Sequence, residues 1–246
     1  MAAGFLRSSF FRKIQSLLTL PQMQESRIIR RRSSSTRSST SSGPHYLVVG
    51  LGNYTMPETR HSIGMAAVNH LADKLGVSFQ YDKKLSGLYG ITQIDDADVI
   101  LLKPKLLMNI NGRSVVKVAS AYKIEARNVI LVHDDLDKDL GRYSIKHGGS
   151  ARGHNGVKSV IGSLMSCEME RFLIGIGRPK YKSEVIDYVL QKFTPAEKEV
   201  VKDIVDECSN AIIAHLKSCT SNKSESTKSE NKRTTKGTTK LETSDS

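Results

Sequence analysis

Between Tyr46 and Leu216, short apolar runs alternate with longer amphipathic stretches. Tyr46-Leu47-Val48-Val49 has no polar break and closes on Gly50-Leu51-Gly52-Asn53, which predicts a buried first strand over 45–50. Ile63, Ala67, Val68, Leu71, Ala72 and Leu75 then recur at helical spacing until Gly76 ends the series. Two apolar stretches, 88–94 and 99–102, face each other across Asp95-Asp96 and predict a hairpin. A helix over 112–122, with Val115, Val116, Val118 and Ala119 on or near its buried side, leads to a second wholly apolar strand at 128–132. Residues 142–146 and 171–176 predict two more strands. Residues 159–165 and 195–216 predict two more helices, the last with Val200, Ile204, Val205, Cys208 and Ile212 along one face.

Strands alternating with helices predict a single α/β domain with a twisted, mostly parallel mixed sheet flanked by helices. In such sheets ligands gather at loops leaving the carboxyl ends of strands, which groups the loops after Val49, Val132 and Lys146 as one candidate site.

Charge alters this picture mainly at the ends. The 246-residue chain carries a formal net charge of +12. Residues 1–45 hold eight Lys or Arg against the single acid Glu25, and residues 217–246 hold seven against four. The domain between them, 46–216, is left with only about +2, so the overall basicity is no evidence of a nucleic-acid-binding domain. The first segment is Arg- and Ser-rich, poor in acids, and carries Phe5, Leu6, Phe10, Phe11, Ile14, Leu17, Leu18 and Leu20 for an amphipathic helix. That composition predicts a mitochondrial transit peptide, with a plain disordered basic arm and action in the cytosol as the alternative. Residues 217–246 read as a disordered Lys/Ser/Thr-rich tail. No apolar run approaches the roughly 20 residues of a membrane span, so no membrane is expected as a partner. Cys167, Cys208 and Cys219 have neither paired nor metal-type spacing and suit a reducing compartment.

Four polar elements carry candidate chemistry, and each alone has a plain alternative. Gly50-Leu51-Gly52 after a strand suggests a dinucleotide fingerprint, but position 55 is Thr where the third glycine belongs. His133-Asp134-Asp135-Leu136-Asp137 reads as a solvated acidic turn or, more sharply, a divalent-metal site. His154-Asn155-Gly156 reads as a plain turn. A lone His61 near a helix start, after Thr59-Arg60, is more often structural than catalytic.

Taken together they are specific. Gly50-Leu51-Gly52-Asn53, Thr59-Arg60-His61-Ser62-Ile63-Gly64, Leu107-Met108-Asn109-Ile110-Asn111-Gly112, His133-Asp134-Asp135-Leu136-Asp137, Gly153-His154-Asn155-Gly156 and Gly175-Ile176-Gly177-Arg178-Pro179 stand in family order and spacing. Over about 46–216 the chain resembles the bacterial-type peptidyl-tRNA hydrolases, and its Gly-Ser-Ala-Arg-Gly-His-Asn-Gly stretch is similar to the animal members. The resemblance implies hydrolysis of the ester between a peptide and the terminal ribose of tRNA, without metal or cofactor. It implies His61 as general base, Asp134 as its orienting carboxylate, and Asn53, Asn109 and Asn155 as the groups gripping the peptide and the tRNA 3′ end. Lys146 and Arg171 are expected to contact the tRNA, with Tyr54 as the candidate for the family's tRNA-contacting tyrosine and Leu107 beside the substrate. Two departures stand out: the Tyr54–Glu58 stretch is two residues short, and Leu107 replaces an aromatic, so it can pack but not stack. The implied partners are the tRNA acceptor arm and nascent peptide, with the ribosome or its large subunit as a further one, and the protein is expected to act as a monomer. An RNA-binding scaffold on the same fold is the alternative function, and a general nucleotide-binding α/β protein a third.

Overall fold

The apolar runs become the strands of one sheet. The structure, a computed structural model, describes residues 43–234 and the side chains as far as residue 221. Seven strands, β1 (His45–Gly50), β2 (Gln80–Asp82), β3 (Gly87–Ile94), β4 (Ala97–Pro104), β5 (Val129–Asp135), β6 (Tyr143–His147) and β7 (Glu170–Gly175), lie in the order β2-β3-β4-β1-β5-β7-β6. The four central strands β4, β1, β5 and β7 are parallel, while β2, β3 and β6 pair antiparallel toward the two edges. The predicted mixed α/β sheet is thus present, with its parallel strands in the middle.

Because side chains alternate along a strand, β1 divides its apolar run between two cores. Tyr46 and Val48 face α1 (Ile63–Lys74) and α5 (Pro195–Thr234); Leu47 and Val49 face α2 (Gly112–Ala121) and α3 (Asn155–Leu164). Both faces are covered, which is why β1 and the first four residues of β5 show no polar break. Among the described residues no helix is long and apolar enough to cross a membrane.

Several elements differ from expectation for identifiable reasons. β2 is a three-residue edge strand with two exposed positions, and α4 (Val185–Leu190) is six residues long, so neither spans a full apolar period. α3 begins at Asn155 rather than near 159, which makes His154 the residue that opens a helix instead of part of a plain turn. α5 continues to Thr234, well past Leu216; Thr220 is buried and its hydroxyl bonds to Asp95, so the helix does not end where its apolar face does. The first described residues place His45 in β1, while the proposed targeting arm before residue 43 and the last residues, 235–246, lie outside the described residues.

One close contact positions the site. A Cβ at Gly64 would lie 2.1 Å from the carbonyl oxygen of Val132, and one at Gly50 would lie 2.5 Å from the carbonyl of Gly64. Only glycines let the first turn of α1 press against β1 and β5 in this way. That approach carries the residues just before α1 to the end of β5.

Candidate active site

Loops leaving the carboxyl ends of β4, β1, β5 and β7 surround a cleft of about 980 Å³. His61 sits in a 3-10 turn, Arg60–Ser62, directly before α1. Its Nδ1 lies 2.9 Å from each carboxylate oxygen of Asp134, the penultimate residue of β5. The expected acidic loop therefore starts later than its sequence suggests: His133, Asp134 and Asp135 are strand residues paired to Leu173, Ile174 and Gly175 of β7. A strand holds Asp134 more firmly than a turn would.

Asp134 has a second imidazole partner, one that the sequence pattern alone places in a turn. His154 lies with Nε2 2.9 Å from Asp134 Oδ1, and its Nδ1 accepts the backbone N–H groups of Gly156 (3.1 Å) and Val157 (3.2 Å). An Nδ1 that accepts two N–H groups carries no proton, so the proton is on Nε2 and is donated to Asp134. His154 thus acts as the cap of α3 and as a fixed donor to the carboxylate. The only sequence signal for it is its place before Asn155-Gly156 in the motif.

Asp134 is almost fully buried. Burial by itself would raise its pKa, but the two imidazoles that donate to it, His154 first and then His61, outweigh it and hold the carboxyl well below the usual carboxylate range. An ionised carboxylate can only accept, so Nδ1 of His61 carries the proton that it donates to Asp134, and in the neutral imidazole Nε2 then holds a free lone pair. Beneath the pair, His133 is pushed down to about 3 by burial first and then by the neighbouring His154. It is neutral, it donates Nδ1–H to the carbonyl of Asp134 (2.7 Å), and its ring meets His154 edge-on at 4.6 Å. Its Nε2 finds no partner among the described residues.

His61, Asp134 and His154 also stand close enough together to suggest a metal site. The donor set does not suit one: His154 keeps its Nε2 proton to retain the two backbone bonds at Nδ1, and His61 directs Nδ1–H at the same carboxylate. The cluster is joined by protons.

Asn53 follows β1, and its Oδ1 accepts the N–H of Met108 at 2.8 Å. That bond ties the β1 loop to the β4 loop and fixes the amide of Asn53 at the wall of the cleft. Asn111, which no sequence signal marks for a role of its own, accepts from Gly52 N–H and donates to the carbonyl of Leu107 (2.7 Å), holding the Met108-Asn109 segment in place. Ser62 accepts from Asn53 N–H (3.0 Å) and donates to the carbonyl of Met56 (2.8 Å), which also receives the Thr59 hydroxyl (2.9 Å). These bonds close the shortened loop upon itself.

Eight of the nine sequence-predicted residues line the cleft: His61, Asp134, Asn53, Asn109, Asn155, Leu107, Lys146 and Arg171. Tyr54 does not. In the closed loop its ring turns to Lys105, whose Nζ is 5.0 Å from the ring centre. Arg171 needs a second correction. It is only 3% exposed, and its guanidinium donates to the carbonyls of Gly149 and Ser150, so it anchors the Gly-rich loop where a phosphate contact was expected. The loop needs that anchor. β6 runs antiparallel to β7, with Lys146 opposite Arg171, so the chain leaves β6 at the far end of the sheet and must return along β7 to bring His154 to Asp134.

Arg60, next to His61, is also buried. Its guanidinium lies against Tyr188 (4.5 Å) and Phe193 (4.9 Å) and donates to Glu197 at 2.8 Å. The Arg60 bond, opposed by burial and aided by Thr194, pulls the Glu197 carboxyl down to about 2. A folded pKa below the ordinary 4.5 gives stability that is present above pH 4.5 and is lost as pH falls toward 2. Glu197→Gln should therefore lower the unfolding free energy at pH 7 by roughly 2–3 kcal/mol. Urea denaturation should show the gap to wild type closing as pH drops through that window; a gap independent of pH would contradict the pairing.

A family model described as peptidyl-tRNA hydrolase matches residues 47–236. A probable peptidyl-tRNA hydrolase of Mus musculus is 44% identical over 177 residues, covering 71% of this chain and 87% of the relative. A peptidyl-tRNA hydrolase of Clostridium botulinum is 40% identical over 169 residues, 68% of this chain and 87% of the relative. A crystal structure of peptidyl-tRNA hydrolase from Acinetobacter baumannii matches with a TM-score of 0.62 at 36% identity, over 65% of this chain and 83% of that one.

Proposed function

Because the chain belongs to the peptidyl-tRNA hydrolase family, we infer that it releases peptide from peptidyl-tRNA by hydrolysing the ester at the tRNA 3′ end, with His61 as the general base. The observation that carries the assignment of His61 is its Nδ1, centred at 2.9 Å on both oxygens of a buried carboxylate. Nε2 takes a proton from water as the water attacks the ester carbonyl, and Asp134 stabilises the imidazolium that forms. The tetrahedral intermediate then expels the ribose oxygen, which is protonated to give tRNA with a free 3′ end and a peptide carboxylate. Asn53, fixed at the cleft wall through its Oδ1, is assigned the donation of its Nδ2 hydrogens to the developing oxyanion.

Asn109 and Asn155 are exposed at the cleft rim, and each amide can both donate and accept. They suit a peptide's own amide, whereas the charged amine of an aminoacyl-tRNA leaves such a site unpaired. Leu107 and Ile186, both on the cleft and largely exposed, offer apolar surface for the peptide's side chains. The residues assigned to the reaction meet in one cleft of a single copy, so a monomer suffices for this reading, and the ribosome as the source of stranded peptidyl-tRNA is its further partner. The Arg- and Ser-rich composition of residues 1–45 supports a mitochondrial site of action; N-terminal sequencing of the protein recovered from cells separates that from the cytosol.

The hydrolase and an RNA-binding scaffold separate on two substrates. Purified protein should hydrolyse N-acetyl-aminoacyl-tRNA at least about a hundredfold faster than the unblocked aminoacyl-tRNA, the scale of rejection expected when polar groups are left unpaired. Equal rates on the two, or tRNA binding without hydrolysis, would favour the scaffold.

A further inference from the structure

Three loops at the mouth of the cleft converge on one carboxylate that the mechanism does not use. Asp137 follows β5, Arg152 lies in the Gly-rich loop before α3, and Arg178 follows β7. Arg152 Nη2 donates to Asp137 Oδ2 at 2.9 Å, and Arg178 Nη2 donates to Asp137 Oδ1. All three line the cleft, and each side chain is about half exposed.

This arrangement is poorly suited to stabilising the fold. Exposed ion pairs contribute roughly 0–1 kcal/mol, and two guanidiniums on one carboxylate leave an uncompensated positive charge facing the cleft. Arg152 also adopts a left-handed backbone (φ 47), a conformation that a side chain other than glycine rarely takes. The Gly-rich loop holding it is clamped by Arg171 through the carbonyls of Gly149 and Ser150. Arg152 is therefore held in place by its loop, and the Asp137 carboxylate occupies the position where an anion would bridge the two arginines. Arg178, followed by Arg152, keeps that carboxyl below its ordinary pKa, so an incoming anion exchanges with an ionised group and no proton is involved.

The substrate of the proposed reaction brings phosphodiesters to this place. Its ester sits on the last nucleotide of a single strand, and the phosphates next to it must lie near the cleft mouth when the carbonyl is at His61. Planar guanidinium forks match phosphate oxygens two at a time. We propose that Arg152 and Arg178 form a phosphate clip for the single-stranded 3′ end of the tRNA, with Asp137 as an internal stand-in that holds both guanidiniums in place until the nucleic acid displaces it. The inference rests on the peptidyl-tRNA reading of the same cleft and assigns binding residues within it.

The test compares two N-blocked esters: N-acetyl-aminoacyl-tRNA and N-acetyl-aminoacyl-adenosine, which carries the same ester and no phosphate. In the Arg152→Gln/Arg178→Gln variant, the KM for the tRNA ester should rise at least about tenfold relative to the KM for the adenosine ester, with kcat on the tRNA ester changed less than about threefold. The slope of log KM against log salt should become shallower by about 0.7 for each phosphate that the variant no longer neutralises. Arg152→Lys/Arg178→Lys, which keeps the charge but not the fork, should recover part of the loss. Asp137→Asn should leave tRNA KM equal to or below that of wild type. The clip is wrong if both esters weaken in parallel, if the salt slope does not move, or if Asp137→Asn weakens tRNA as much as the arginine variant does. If the wild type cleaves neither ester, the hydrolase reading fails instead. The clip is then judged by the same salt slope in equilibrium binding of uncharged tRNA.

Discussion

His61→Ala is expected to lower kcat on N-acetyl-aminoacyl-tRNA by about 10²–10⁴-fold, the usual contribution of a positioned general base. KM should change by less than about threefold, because the groups proposed to hold the substrate, Asn53, Asn109, Asn155 and the arginines at the cleft mouth, do not depend on the imidazole. The geometry leaves no substitute for the imidazole. Of the three histidines at the site, His61 is the one whose Nε2 can reach a water: His154 has both nitrogens bonded, and His133, whose Nε2 is likewise unpartnered, is buried with that atom shut away from solvent. No other imidazole can therefore take over the proton. Exogenous imidazole should restore part of the rate, since the alanine variant leaves Asp134 ionised and the space open. In wild type, Asp134 is held far below the usual carboxylate range, so its protonation takes no part in any acid limb of the activity. A variant with kcat within about tenfold of wild type would remove His61 from the base role. An unchanged kcat and raised KM would make it a binding residue.

How much of this could be read from the sequence depended on the range of the forces involved. The buried runs at β1 and β5 and the period of α1 are local patterns, and they gave the right elements because both sheet faces are covered by apolar packing. The short edge strand β2 and the six-residue α4 depend on neighbours supplied by distant parts of the chain, so no local period marks them. The same division applies to the site. His61, Asp134 and the asparagines could be read because the resemblance covers their motifs, and the cleft gathers them as expected. His154 could not, because its function lies in two simultaneous contacts, one to its own helix start and one to a strand twenty residues earlier. Arg171 was misplaced for a related reason: a basic residue near a tRNA-binding loop has the same sequence signature whether it meets a phosphate or a carbonyl. Only the antiparallel course of β6 shows that the returning loop needs an internal anchor. Tyr54 shows the effect of the two-residue deletion, since the Ser62 and Thr59 hydroxyls close the shorter loop and turn the ring to Lys105.

Asp134→Asn should disable the enzyme nearly as fully as His61→Ala, although it removes no group that touches the substrate. Asp134 Oδ1 accepts from two imidazoles, His61 Nδ1–H and His154 Nε2–H, while Oδ2 accepts from His61 alone. An asparagine has one oxygen for these two positions. With its oxygen at the shared position, its NH₂ group lies about where Oδ2 was, directed at His61 Nδ1–H, and two donors face each other. The conflict is relieved if His61 moves its proton to Nε2, which is the nitrogen that must accept from water. With the amide reversed, the NH₂ group faces His154 Nε2–H, and His154 cannot change tautomer without giving up the Gly156 and Val157 N–H bonds that open α3. The first arrangement is the less costly, and it leaves a folded protein whose base has its proton on the wrong nitrogen. The expected result is a loss in kcat of about 10²–10⁴-fold with KM little changed. The double variant Asp134→Asn/His61→Ala should be hardly worse than either single change, because the two residues act as one unit. Imidazole nitrogen chemical shifts provide a readout that a merely structural role would not move: His61 should shift from the Nδ1–H to the Nε2–H form. If His61 keeps Nδ1–H in the variant, or if the losses from the two substitutions multiply, then the carboxylate does not act by fixing the tautomer.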